Sequence, residues 1–377
     1  MNFNPFAENK APSRSMFAKE REKQIRATTE TVEDLEERYG VKEYLGVQMD
    51  NEAVIFFKEL VNQLGEDDTL EIVKIETTQF DSEGRLTVLD CSNSLITSFP
   101  KLPNGLIELS CRNTFLTALP ALPAGLTKLN CYKSKINTLP ELPSGLEEIY
   151  LDGTQITTIR ELPTGLKKLV CNNTKISSLP ELPAGLELFN CSSTLIALLP
   201  ELPVGLEDLL CYNTQITSLP ELPSALKRLQ CDQTQVTSLP ELPAGLTALD
   251  CNSTGITTLP ELPTGLRSLH CQRISITSLP ELPAGLKALN CNRTQITSLP
   301  ELPIGLEELS CNSTQIISLP ELPAGIETLD CGDTKITSLP ELPDRLEVIT
   351  LRNTPLAKDI PFIDRLKKTH PKLEIFN

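Results

Sequence analysis

The chain reads as a solenoid with a short parallel β-sheet on its concave face, extended polyproline II-like chain on its convex face and an α-helical N-terminal cap. Three observations predict this. A twenty-residue frame recurs from Leu86 to Leu346, fourteen copies in all, and a fixed period of that length means stacked units rather than one growing core. Within each copy a stretch such as Leu106-x-x-Leu109-x-Cys111 alternates apolar and polar residues, the pattern of a half-buried strand. Most copies then carry Leu-Pro-Glu-Leu-Pro, and proline removes a donor and fixes φ, so this piece is neither helix nor inner strand.

Taken in order, residues 1–27 are polar, without a clear period, and read as a disordered segment and a candidate secretion signal. Residues 28–69 read as the helical cap. A short helix is expected over 29–39, with Val32, Leu35 and Tyr39 on one side, and a stronger one over 51–64. In the second, Val54, Phe57, Val61 and Leu64 follow helical spacing, Asp50 or Asn51 caps the start and Gly65 ends it.

The solenoid spans 70–356. Leu70-x-x-Val73-x-Ile75-x-x-Thr78-x-Phe80 is a degenerate first copy. In the regular copies Leu and Cys point inward, and the hydroxyl of Thr114 and its equivalents bonds a neighbouring loop amide. Gly125 and its equivalents turn the chain back into the next strand. Twenty residues leave no room for a convex helix, so the product is a thin right-handed coil. At about 4.8 Å per strand, some sixteen strands make a curved rod on the order of 75 Å long. Residues 357–377 read as a C-terminal cap, helical over 361–369, with Leu373-x-Ile375 as a last strand.

Composition narrows the partners. With 34 basic and 50 acidic residues the formal charge is −16, which argues against nucleic acid and anionic membrane surfaces. No apolar run is long enough to span a bilayer, and the first fifteen residues lack the apolar segment of a general secretory signal. The chain is expected to stay in the bacterial cytoplasm or to leave through a dedicated machine.

All twelve cysteines, Cys91 through Cys331, fall on one position of the frame, where two copies instead have Leu151 and Leu351. A position that accepts leucine asks for apolar volume, and a line of thiols suits neither tetrahedral zinc nor a thiolate nucleophile. The ladder reads as buried free thiols of a reducing compartment, with partial disulfides as the alternative. No cofactor or metal is expected, and no phosphate loop or nucleophile elbow occurs.

The copies can be compared with one another. Inner positions barely change, whereas outward strand positions change freely, as expected of a binding face on a fixed scaffold. Two zones stand out. Tyr132, Tyr150, Val170, Leu188, Leu210 and Tyr212 are expected to form one apolar, aromatic patch. From Gln230 the face turns polar, with Asp232, Asp250, His270, Asn290 and Asn292 as further candidate partner contacts. A ladder of eleven glutamates runs along the back from Glu141 to Glu341, offset by Lys167, Lys227, Arg267 and Lys287. It reads as a solvated face or as a weak divalent-cation site.

The frame Leu106-x-x-Leu109-x-Cys111-x-x-Thr114-x-Leu116-x-x-Leu119-Pro120 resembles leucine-rich repeats. The short repeats with Leu-Pro-x-Leu-Pro on the back and helices in front resemble the YopM/IpaH/SspH class of bacterial effectors, over roughly residues 29–356. The resemblance implies a non-enzymatic scaffold, secreted by a specialised bacterial system into the host cytoplasm, that binds a host protein through its concave face. A substrate-recognition adaptor for a separate ubiquitin ligase or kinase, a surface adhesin and self-association of solenoids are the alternatives. Thr174, Thr214 and Thr294 stand where the class usually has Asn, and its members seldom place cysteine on every inner strand. The ligase members carry a large catalytic domain after the repeats, for which residues 357–377 leave no room. Cys331-Gly332-Asp333 matches the ligase Cys-x-Asp motif only superficially, because Cys331 occupies the inner ladder.

Overall fold

A computed structural model describes residues 49–64, 69, 72 and 77–377. The 1–27 segment, the 29–39 helix with Val32, Leu35 and Tyr39, the Gly65 stop, and Leu70, Val73 and Ile75 of the degenerate copy lie outside the described residues.

Helix α1 is Asn51–Leu64. Asp50 caps it, its Oδ1 accepting the Ala53 N–H at 2.8 Å. The buried stripe is Ala53, Phe56, Phe57 and Leu60, whereas Val54 and Val61 are only half-buried and Ile55 is exposed. The expected Val54–Phe57–Val61 face is therefore rotated by one residue. The reason is aromatic packing: the Phe56 ring meets Phe57 at 5.2 Å and Phe99 of the solenoid at 6.4 Å. Glu52 clamps the helix to the next turn, accepting the Asn104 N–H at 2.9 Å and its side-chain amide at 2.6 Å.

The sheet has sixteen strands in sequence order. β1 (Gln79–Phe80) pairs antiparallel with β2 (Leu86–Asp90), so the sheet begins with a hairpin rather than a degenerate parallel turn. From there the strands are parallel and recur every twenty residues, from β3 (Glu108–Ser110) to β15 (Val348–Thr350). Each is three residues long because the next position is already turning. At the far end α2 (Ile360–Thr369) buries Ile363 and Leu366, and β16 (Glu374–Phe376) sets Ile375 beside Ile349.

The core is one continuous stack. Leucines of the frame are buried along its length, and all twelve cysteines are free and buried, as are Leu151 and Leu351 in the same file. The hydroxyl file bonds differently from the expectation. Thr294 Oγ1 donates to the Cys291 carbonyl at 2.8 Å, and Thr114, Thr174 and Thr334 do the same in their own turns. The hydroxyl thus holds the carbonyl three residues back instead of a loop amide. The turn glycines also differ from the expectation. Positive φ falls two residues after each cysteine, at Asn113, Lys133, Asn173, Arg273 and their equivalents, with Gly153 at +69° in one copy. Within the file of Gly125 the room for a side chain varies: a Cβ at Gly265 would lie 2.9 Å from the Ala244 carbonyl oxygen, whereas one at Gly125 would meet nothing closer than 3.9 Å. Ala225 and Arg345 occupy that file in two copies.

Candidate functional site

The concave face carries three files of side chains: the residue before each inner leucine, the residue between it and the cysteine, and the residue after the cysteine. All eleven expected contacts, Tyr132, Tyr150, Val170, Leu188, Leu210, Tyr212, Asp232, Asp250, His270, Asn290 and Asn292, are half-buried on it.

The first file is a charge ladder. Lys128 Nζ lies 4.0 Å from Glu108 and 3.6 Å from Glu148, and Lys168 reaches Glu148 at 2.9 Å. Burial pushes the Glu148 carboxyl up, but hydrogen bonds from Lys168 and Tyr150, reinforced by Lys128, hold it below its usual range. Leu188 interrupts this ladder, and Asp208 and Arg228 resume it at 3.5 Å.

The register divides the expected apolar patch. Tyr150 and Val170 are direct cross-strand partners, but Asn190 stands between Val170 and Leu210. Tyr132 and Tyr212 occupy the third file, four turns apart. Over the Tyr132 ring sit Lys133 Nζ at 5.0 Å and Arg112 Cζ at 5.6 Å. The Tyr150 hydroxyl donates to Glu148 at 3.1 Å.

In the polar zone many side-chain acceptors already serve the backbone. Asn290 Oδ1 accepts the Asn292 N–H at 3.2 Å, and Asp250 Oδ1 accepts the Asn252 N–H at 3.1 Å. Where residue 270 is His and residue 310 is Ser, the turn before supplies the acceptor: Asn252 Oδ1 holds the Gln272 N–H at 2.7 Å, and Asn292 Oδ1 holds the Asn312 N–H at 2.6 Å. The amide residues here stabilise the turns. The signal that could have found them is that an Asx two residues upstream and an Asx twenty residues upstream alternate as acceptors.

Two features stand apart. His270 Nδ1 lies 3.6 Å from Asp250 Oδ2 and its Nε2 lies 3.3 Å from Ser268 Oγ. The first distance is too long for a hydrogen bond that would orient a general base. Asp232 is held high, its carboxyl pushed up to about 6 by burial and then by the neighbouring Asp250. Among the described residues no cluster of His, Cys, Asp and Glu has the geometry of a metal site.

The cysteines are remote from chemistry. Burial pushes the Cys291 and Cys331 thiols up to about 12, which suppresses the thiolate a ligase-type reaction needs. In the file directly before the strands, Lys167, Lys227 and Lys287 pair with Glu147, Glu207 and Glu307 at 2.8, 2.6 and 2.6 Å. They neutralise that shorter acidic file, not the Glu141–Glu341 ladder as expected from sequence.

No protein-family model matches the chain, and no curated protein matches it. Solved structures do. YopM, a leucine-rich effector protein from Yersinia pestis, is 25% identical with a TM-score of 0.67, over 97% of this chain and 100% of that one. YopM from Yersinia enterocolitica WA-314 is 24% identical with a TM-score of 0.55, over 91% and 87%. A leucine-rich-repeat protein of Leptospira interrogans is 19% identical with a TM-score of 0.53, over 77% and 95%. The short parallel strands, the helix-free back and the twenty-residue frame agree with these likenesses, and the chain is a leucine-rich-repeat solenoid similar to YopM along most of its length.

Proposed function

We propose that the chain is a non-enzymatic protein-binding scaffold, secreted by a specialised bacterial system, that binds a host protein through its concave face in the host cytoplasm. The observation that carries the binding role is the contrast between a fixed interior and a varied concave face. Every inner file repeats, while the three outward files pass from a salt-bridged ladder through tyrosines to an acidic and amide zone. Selection for packing alone does not require that sequence of surfaces. Likeness to effectors named YopM supports delivery to a host. Among the described residues no helix is long and apolar enough to cross a membrane.

The domain reading follows: a 1–27 signal segment, a helical cap over 28–69, the repeats over 70–356 and a C-terminal cap over 357–377. Two experiments test it. A translocation reporter fused to the full chain is expected in host cytosol, and deletion of 1–27 is expected to abolish delivery. Partner capture from host lysate is expected to drop at least tenfold for Tyr150→Ala/Tyr212→Ala with an unchanged melting profile; undiminished capture would overturn the concave assignment.

A further inference from the structure

The third concave file repeats one step. Tyr132 is followed one turn later by Asp152, and Tyr212 by Asp232. Backbone bonds hold both steps in the same register: Lys133 N–H to the Asp152 carbonyl at 2.7 Å, and Asn213 N–H to the Asp232 carbonyl at 2.9 Å. Burial pushes both carboxyls above their ordinary range. The surroundings differ at two positions. Around the first step the chain places Arg112, one turn before Tyr132, and Lys133, the residue after it. Both cations stand over the Tyr132 ring, and both pull the Asp152 carboxyl down electrostatically. Around the second step the same two positions hold Ser192 and Asn213.

The second step therefore has the ring and the carboxylate of the first without its arginine and lysine. Among the described residues no cationic side chain stands over Tyr212. Instead Asp250 adds a second negative charge near Asp232, and the groups that face the two carboxyls are His270, whose Nδ1 lies 3.6 Å from Asp250 Oδ2, and Gln233, whose Nε2 donates to Asp232 Oδ2 at 3.1 Å. Ser192, fully buried beside Tyr212, has an Oγ with no hydrogen-bond partner. A ring face and two carboxylates on successive turns, with a buried hydroxyl left without a partner on the turn before, ask for a donor-rich cation. A free metal ion does not use a ring face in this way, and the first step shows which groups the arrangement accepts: a guanidinium and an ammonium.

Resting on the concave-face reading above, we propose that the Tyr212–Asp232–Asp250 step is a receptor for a basic side chain, arginine or lysine, of the protein partner. The partner's cation takes the place that Arg112 and Lys133 hold at Tyr132. The net charge of −16 favours approach of such a partner, and a desolvated cation at the centre of an interface is a typical anchor.

The test uses the full chain labelled with 3-fluorotyrosine, whose five tyrosines give five fluorine signals assignable by substitution. The probes are acetyl-Gly-Arg-Gly-amide, its lysine analogue and its neutral citrulline analogue. The arginine and lysine peptides are expected to shift the Tyr212 signal saturably, and citrulline is expected not to. Asp232→Asn is expected to weaken the arginine peptide at least fivefold. Asn213→Lys, at an exposed position, supplies the missing lysine and is expected to weaken it at least fivefold while lowering the melting point no more than Asn213→Ala, which loses the same hydrogen bond to Ser193. Equal shifts from citrulline, no saturable Tyr212 shift, or wild-type binding by Asn213→Lys would overturn the proposal. If partner capture needs Tyr150 and Tyr212 but the peptides leave Tyr212 unmoved, the cation receptor fails and the concave reading stands. If the peptides bind as expected but capture ignores every concave substitution, the receptor stands and the concave reading fails.

Discussion

Asn292 Oδ1 accepts the backbone N–H of Asn312, one full turn further along the coil, at 2.6 Å. A residue on the variable face thus holds two turns together. Asn292→Ala removes the acceptor and leaves that N–H to solvent. The expected cost is about 1 kcal/mol, the net worth of one such bond, read as a lowered urea midpoint. Asn213→Ala, whose side chain donates to Ser193 Oγ at the exposed rim, is expected to cost less.

Cys291 is a packing residue whose Sγ lies 3.4 Å from the Ser310 carbonyl. Burial pushes its thiol up to about 12. Native protein at pH 8 is expected to label slowly with a thiol reagent, and all twelve thiols to label at once in denaturant. Rapid native labelling of most of them would contradict the buried ladder. Cys291→Ala is expected to destabilise by about 1–2 kcal/mol through the cavity it leaves.

Asp232 provides a pH signature. Its folded carboxyl is pushed up to about 6, above the ordinary 3.8, by burial and by Asp250. The folded state therefore holds this proton more tightly than the unfolded chain does. Its contribution is most favourable below pH 4 and is lost as pH rises through about 6. Asp232→Asn should stabilise the protein at pH 7.5, on the order of 1 kcal/mol after solvent screening, and should change little at pH 4. A gain that is the same at both pH values would show that charge is not the cause.

Glu148 joins Lys128 and Lys168 on the two adjacent turns and the Tyr150 hydroxyl on its own strand. Glu148→Gln breaks the charge ladder while keeping an acceptor for Tyr150. The lysines are well exposed, so the expected loss is below about 1 kcal/mol and shrinks in high salt. A salt-independent loss of several times that size would mean a buried network instead.

The repeat, its inward leucines and cysteines, the helix-free back, the α2 helix and the last strand around Ile375 were all legible in the sequence. Each follows from side-chain period and from what proline forbids, and both are local properties. The sequence also located the helix Asn51–Leu64, but not which stripe of it faces inward, because Phe56 is drawn in by Phe99, which lies more than forty residues away in the solenoid. The hairpin at β1 and the left-handed residue two after each cysteine, whose N–H bonds the following turn, depend on how the chain lies on its neighbour, whereas the Thr hydroxyls settle on a carbonyl of their own turn.

The candidate site divides the same way. That the concave face varies is a property of the sequence alone, since the copies can be compared with each other. Which varied residues are spent inside the protein was decided by stacking. Asn290 and Asn292 look like free amides in the sequence, yet both side-chain oxygens hold backbone N–H groups. Tyr132 and Tyr212 look equivalent, yet only Tyr132 has cations over its ring. Period and composition determine a coil, because each residue carries its own preference for inside or outside. Hydrogen-bond partners lie about twenty residues away in a neighbouring turn, and only the tertiary register brings them within reach.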